Sequence, residues 1–180
     1  DEQGNVMYRE TTDANGQIPQ IPVAPGTYTF KETYAPDGYA LNEAEMRFTV
    51  DADGNVTGDT TIRDDYTRFS LHKVDENGKP LAGVMFGLKK ADGMLMMTAK
   101  TDAKGMATFE KVPFGTYTLV ETQALPGYLK ADTEIRLTVD GTFVNPKEPI
   151  ATVINERQKI RGLKVDTAGQ ALTGAEFNLI

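Results

Sequence analysis

Three polar side chains fall where an alternating strand would turn them toward an apolar interior. In F69-S-L-H-K, Lys73 shares a face with Phe69 and Leu71. In Y117-T-L-V-E, Glu121 shares one with Tyr117 and Leu119, and in A151-T-V-I-N, Asn155 shares one with Ala151 and Val153. The reason is that residues two apart on a strand point the same way. A charged lysine or glutamate in a dry interior is costly unless it is compensated. Burial lowers the pKa of an amine and raises that of a carboxyl, so both are pushed toward neutral forms. A neutral Lys73 amine can attack the side-chain carbonyl of Asn155. A protonated Glu121 can polarise that carbonyl and relay the proton to the leaving group. Holding the groups together removes roughly 7–11 kcal/mol from such a barrier. The expected product is a Lys73–Asn155 amide with loss of ammonia. The plainer alternative is a buried ion pair or hydrogen-bond network with no covalent bond.

A second set of the same residue types is present. Glu32 shares a face with Tyr28 and Phe30, Asp64 with Ile62, and Lys164 with Ile160 and Gly162, while Asp65 sides with Arg63 and is expected to face water. A Lys164–Asp64 amide would release water instead of ammonia, with Glu32 as its acid.

The two sets are related by an internal repeat, which is the first thing to seek in an all-strand pattern. T12-D-A-N-G16 recurs as T101-D-A-K-G105, G26-T-Y-T-F-K-E32 as G115-T-Y-T-L-V-E121, and M46-R-F-T-V-D51 as I135-R-L-T-V-D140. Gly16 to Gly105, Glu32 to Glu121 and Asp51 to Asp140 are all 89 residues apart. L71-H-K-V-D-E-N-G-K-P-L-A-G83 recurs as G162-L-K-V-D-T-A-G-Q-A-L-T-G174, where Lys73 and Lys164 are 91 apart. One unit is complete, 67–158. The other is split: 1–66 is its C-terminal part, lacking the first two strands, and 159–180 supplies two such strands. Asp1 and Ile180 map onto adjacent positions of the complete unit, Lys90 and Lys89, so the two pieces meet without gap or overlap.

The positioning elements are read as strands. F69-S-L-H-K-V74, G115-T-Y-T-L-V-E-T122, E134-I-R-L-T-V139 and I150-A-T-V-I-N155 alternate and are bounded by the turn signals D-E-N-G, A-D-G, D-A-K-G and L-P-G. No window sustains a helical period. Six to seven short strands per 90-residue unit predict an all-β fold of tandem β-sandwiches with immunoglobulin-like proportions.

Composition narrows the function. A net charge of −7 cannot neutralise a row of phosphates, so no nucleic-acid partner is expected. The chain has no cysteine and one histidine, which excludes disulfides and thiolate metal sites and leaves little for a Ser/His triad. No cofactor and no metal are expected. No apolar run is long enough for a membrane span and no signal-peptide pattern opens the chain, so no membrane partner is expected. D51-A-D-G-N55 lacks the remaining calcium-loop positions and reads as a turn. V144-N-P-K147 reads as a proline-containing loop rather than a sortase site. His72 is expected to face outward, and the methionines at 94, 96 and 97 to pack within a loop or strand.

On these residues the chain resembles the Cna protein B-type domains of Gram-positive surface adhesins and SpaA-type pilins. The resemblance rests on K73-V-D-x-x-G-x-P-L-A-G-V-x-F-x-L88, T101-D-A-K-G105, G115-T-Y-x-L-x-E-T-x-x-x-P-G-Y128 and V153-I-N155. It implies prealbumin-like sandwiches with a lysine on the first strand, an asparagine or aspartate on the last and a catalytic glutamate between them. By that resemblance Lys73, Glu121 and Asn155 form one triad and Lys164, Glu32 and Asp64 the other, with Asp64 departing from the commoner asparagine. It also implies an extracellular structural repeat of a pilus or adhesin stalk without enzymatic turnover. Family modules lay their termini at opposite ends, so 159–180 is expected to complete the split unit of a neighbouring copy, head to tail. The alternatives are an adhesin module that binds host matrix or a cell-surface ligand, and an engineered split unit that polymerises covalently.

Overall fold

The computed structural model describes residues 4–180. Among them the regular elements are ten strands: β1 (Gly26–Lys31), β2 (Glu45–Val50), β3 (Val56–Gly58), β4 (Arg68–Asp75), β5 (Met85–Lys90), β6 (Leu95–Lys100), β7 (Met106–Glu110), β8 (Gly115–Gln123), β9 (Glu134–Val139) and β10 (Thr152–Asn155). Strands β4–β10 build the complete unit as two facing sheets, ordered β10-β4-β7 and β6-β5-β8-β9.

Alternation decides which side chains meet between these sheets. On β4, Phe69, Leu71 and Lys73 are buried while Arg68 is exposed; on β8, Tyr117, Leu119 and Glu121 are buried. Phe86, Leu88, Phe109, Val112 and Val153 join Phe69, Leu71, Tyr117 and Leu119 in one apolar cluster. Each such side chain, fully buried, contributes about 1.5–3 kcal/mol relative to exposure. The methionines behave as strand packing: Met96 and Met97 lie on β6 against this core, while Met94 is exposed. His72 is half-buried rather than freely solvated.

The turns hold the strands in register. Asp75 Oδ1 accepts the amides of Asn77 and Lys79, and Asp102 Oδ1 those of Lys104 and Met106. Gly105 follows with φ 75°, and a Cβ there would collide with the Lys73 carbonyl. Only glycine lets that turn approach β4 so closely, and the Lys73 amide donates to the Gly105 carbonyl at 2.7 Å. On its other side β4 pairs in parallel with β10, Val153 opposite Lys73 and Asn155 opposite Asp75. The first and last strands of the module are therefore neighbours.

The split unit contributes one antiparallel sheet, β1-β2-β3. Phe48 stacks on Tyr28 and Phe30 with ring centroids 5.7 and 4.8 Å away, yet Tyr28, Phe30 and Phe48 are only half-buried. Residues 51–55 form the turn between β2 and β3, with Asp51 accepting the amides of Asp53 and Asn55. The segment 159–180 carries no strand in the single chain, only an isolated Val165–Ala171 bridge. Ile160, Leu163, Phe177 and Leu179 in that segment are exposed.

Candidate functional site

The complete unit gathers its three polar residues in the centre of the sandwich. Lys73 comes from β4 and Asn155 from the adjacent parallel strand, while Glu121 comes from β8 in the facing sheet. All three are no more than 2% exposed. Lys73 Nζ donates to the Val153 carbonyl at 2.9 Å and to the Val74 carbonyl at 3.2 Å. Its third neighbour is Glu121 Oε2 at 4.0 Å. The other carboxylate oxygen, Oε1, accepts Asn155 Nδ2 at 2.8 Å. Glu121 therefore bridges the amine and the amide nitrogen.

Two oxygens here, Glu121 Oε2 and Asn155 Oδ1, are buried without a hydrogen-bond partner. An unpaired buried acceptor costs about 1–3 kcal/mol, so a trio that stayed as three separate side chains would be a weak point of the core. Burial also pushes the Lys73 ammonium down to about 8, against the attraction of Glu121, which acts the other way. About a tenth of the amine is therefore neutral at pH 7.

Beside the trio, Asp75 is buried at the end of β4 and its carboxyl is held below the usual range, chiefly by the Lys79 amide. Arg157, just past β10, lies 3.9 Å from its Oδ2. The two backbone carbonyls that hold Nζ and this Asp75–Arg157 contact were not legible in the sequence. The V-D-E-N-G turn signal pointed to Asp75 as a turn residue only, and the parallel β4–β10 pairing decides the rest.

The second set is brought together in part. Glu32 is half-buried just beyond β1, with Oε2 accepting the Asn42 amide at 2.8 Å. Burial raises its pKa; the Asn42 bond opposes that, and the facing Asp64 carboxylate adds to it. Asp64 Oδ1 is buried without a partner, whereas Asp65 is exposed. Lys164 is exposed on the tail, so the acid and the acceptor meet without an amine. Among the described residues no group of three or more metal-ligating side chains occurs, and no helix is long and apolar enough to cross a membrane.

A seven-stranded two-sheet sandwich with a lysine, a carboxyl and an amide sealed in its interior defines a prealbumin-like all-β module. The family model described as "SpaA: Prealbumin-like fold domain" matches residues 1–65 and 67–148, and the chain belongs to that family. The chain is 29% identical over 151 residues to serine-aspartate repeat-containing protein D of Staphylococcus aureus (strain Newman), covering 71% of this chain and 11% of that protein. It is likewise 29% identical over 165 residues to serine-aspartate repeat-containing protein F of Staphylococcus epidermidis (strain ATCC 12228), covering 78% and 10%. The chain thus spans about a tenth of the length of these relatives. Among solved structures, it is similar to the Bacillus anthracis TIE protein (26% identity, TM-score 0.41, 87% of this chain and 29% of that one). A second is GBS52, the minor pilin of Streptococcus agalactiae (20% identity, TM-score 0.43, 87% and 71%).

Proposed function

We propose that the chain is a structural repeat of an extracellular fibrous surface protein, a pilus shaft or adhesin stalk, whose modules are sealed by lysine amide bonds made during folding. The observation that carries this reading is the position of Glu121, with one oxygen facing the Lys73 amine and the other holding the Asn155 amide nitrogen. Nζ passes a proton to Oε2 and attacks Asn155 Cγ. A C–N bond forms, the carbonyl oxygen takes up negative charge, and the carboxyl returns a proton to Nδ2. The Cγ–Nδ2 bond then breaks and ammonia leaves. Of the three Nζ protons, one remains in the amide, one departs with the ammonia and one stays on Glu121. A buried ion pair becomes a neutral amide beside a neutral acid that can donate to it, which removes both the charge and the orphaned acceptors. Asn155 is consumed, so the reaction runs once and there is no enzymatic turnover.

This cross-link joins the first and last strands of the module, where a pull on the termini is first felt. That is a load-bearing geometry, and the family membership and the surface-repeat relatives support placing it outside the cell. The test is the intact mass of the denatured protein. Loss of one ammonia, and a branched Lys73–Asn155 peptide after proteolysis, are expected; an unshifted mass overturns the covalent reading.

The second set supports a link between copies. Glu32 and Asp64 face one another without an amine while Lys164 stands exposed on a tail whose repeat register matches the missing strands. Insertion of 159–180 from a neighbouring copy, whether continuous in an array or separate, brings Lys164 to Asp64 and releases water.

A further inference from the structure

The split unit and the complete unit touch through a compact set of contacts around the Tyr66–Thr67 connection. The Asp37 carboxylate accepts the Phe114 amide at 2.5 Å, and the Lys111 amide donates to the Thr67 carbonyl at 2.8 Å. Thr67 is fully buried, and its hydroxyl donates to the Val112 carbonyl at 2.7 Å. The Tyr34 ring lies edge-on to Phe114 and over Gly141, where a Cβ would collide with it. The Ala35 amide donates to the Gly141 carbonyl at 2.8 Å. Lys111 holds φ 55°, a left-handed backbone conformation rare for residues other than glycine.

The repeat makes a second joint of the same kind after Gln158, and its half within the complete unit is built the same way. Gln158 N donates to Gly127 O as Thr67 N does to Gly38 O, and Leu129 N donates to Glu156 O as Ala40 N does to Asp65 O. The residues that would reach across it differ. By the 89-residue offset, Lys111 and Phe114 correspond to Pro22 and Pro25, Asp37 to Pro126, and Tyr34 to Gln123. Proline has no amide hydrogen and is fixed near φ −65°. Pro22 therefore neither donates the bond Lys111 makes nor adopts its conformation, and Pro25 lacks the donor that Phe114 offers. Pro126 supplies no carboxylate and Gln123 no ring. After β2 the split unit turns back at once into β3, whereas after β9 the chain runs as the loop that supplies Gly141 and Phe143 carbonyls to Ala35 and Leu41.

We propose that the 66/67 joint is docked, so that the split and complete units move as one body, and that the equivalent joint after residue 158 is a hinge. A fibre of this repeat then bends once per period rather than at every module. The hinge half of the inference rests on the array reading above; the docked half does not.

The chain has no cysteine, so spin labels at Thr49→Cys and Lys104→Cys report on the first joint without interference. A narrow inter-label distance distribution is expected in the single chain, and a broad one overturns the docked joint. Tyr34→Gln with Asp37→Ala should broaden it several-fold; Lys111→Pro with Phe114→Pro is the harsher version of the same change. In two copies joined end to end, Lys104→Cys in the first and Thr49→Cys in the second span the other joint. A distribution there at least several-fold broader than across the first supports the hinge, and one equally narrow overturns it. Amide exchange along β1 and β2 of the second copy is followed in the same sample: protection confirms that the central module has formed, and its loss counts against the array reading.

Discussion

The chain carries two related polar trios, lysine–glutamate–asparagine and lysine–glutamate–aspartate, and the two are in different states. In the complete unit Lys73, Glu121 and Asn155 come from three strands of one sandwich and are sealed from water. In the split unit Glu32 and Asp64 face each other at the margin of a single sheet, half-buried, and Lys164 is elsewhere. Their large neighbours on the same strands follow suit. Tyr117 and Leu119 are buried, while their repeat counterparts Tyr28 and Phe30 are half-exposed on a sheet that no second sheet covers among the described residues. Residue types are thus similar between the units, and it is the second sheet that turns a pair of facing acids into a sealed trio, the arrangement the proposed cross-link needs. Chemistry here is a property of enclosure, since desolvation and proximity both come from the layer that the split unit lacks.

The largest contrast to break is the proposed cross-link. Glu121→Gln keeps the shape of the site but removes the proton carrier. It should slow amide formation by roughly 10²–10⁴-fold, leaving an unshifted mass on the time scale of purification. The unlinked protein should also be less stable. Lys73 and Asn155 are 82 positions apart in the chain, and closing a loop of that length stabilises by about 4–5 kcal/mol in the chain-entropy picture used for disulfides. A fall in melting temperature of roughly 15–30 °C for a module of this size follows, measurable by calorimetry on Glu121→Gln beside the parent.

Adding the missing layer should move the split unit toward the complete one. At high protein concentration the parent is expected to form ladders on denaturing gels, each link with the loss of one water, and Lys164→Ala or Asp64→Ala should each abolish them. Persistence of the ladders in Asp64→Ala would assign the link to another residue.

Acidity separates the two sites more finely. With Lys73 lowered to about 8 from its usual 10.5, the proton that Nζ must pass to Glu121 is lost to solvent above about 8, so the rate of amide formation after refolding should be level just below 8 and fall about tenfold per pH unit above it. In Asn155→Ala, which cannot form the bond, the folded state binds fewer protons than the unfolded one between about 8 and 10.5. Stability should therefore increase with pH across that window, as denaturant midpoints would report. Glu32 has the opposite sign. Its folded pKa is raised, so its contribution is fully present below about 4.5 and is lost as pH rises through the folded value. Amide protection in β1 and β2 should weaken on going to neutral pH, and Glu32→Gln should flatten that dependence.

Much of this was written in the order of residues. Alternation with period two placed Lys73, Glu121 and Asn155 on the same faces as Phe69, Leu119 and Val153, because a strand leaves no freedom about which side a residue takes. The glycine and aspartate turns marked where strands end, since their backbone and side-chain bonding are local. Short irregular stretches were less legible. Nothing in V56-T-G58 announces β3, and Ile62–Asp64 alternates without joining a sheet, because pairing depends on a partner strand that is remote in sequence.

What only the tertiary structure decided is how those faces meet. The parallel pairing of β4 with β10 supplies the Val153 carbonyl to Nζ, and the stacking of one sheet on the other brings Glu121 between amine and amide. The contacts of Tyr34, Asp37 and Thr67 across the joint likewise span tens of residues. A strand's own alternation fixes which side chains turn inward. Which inward side chains touch depends on how separate strands and sheets are stacked, and no local pattern records that.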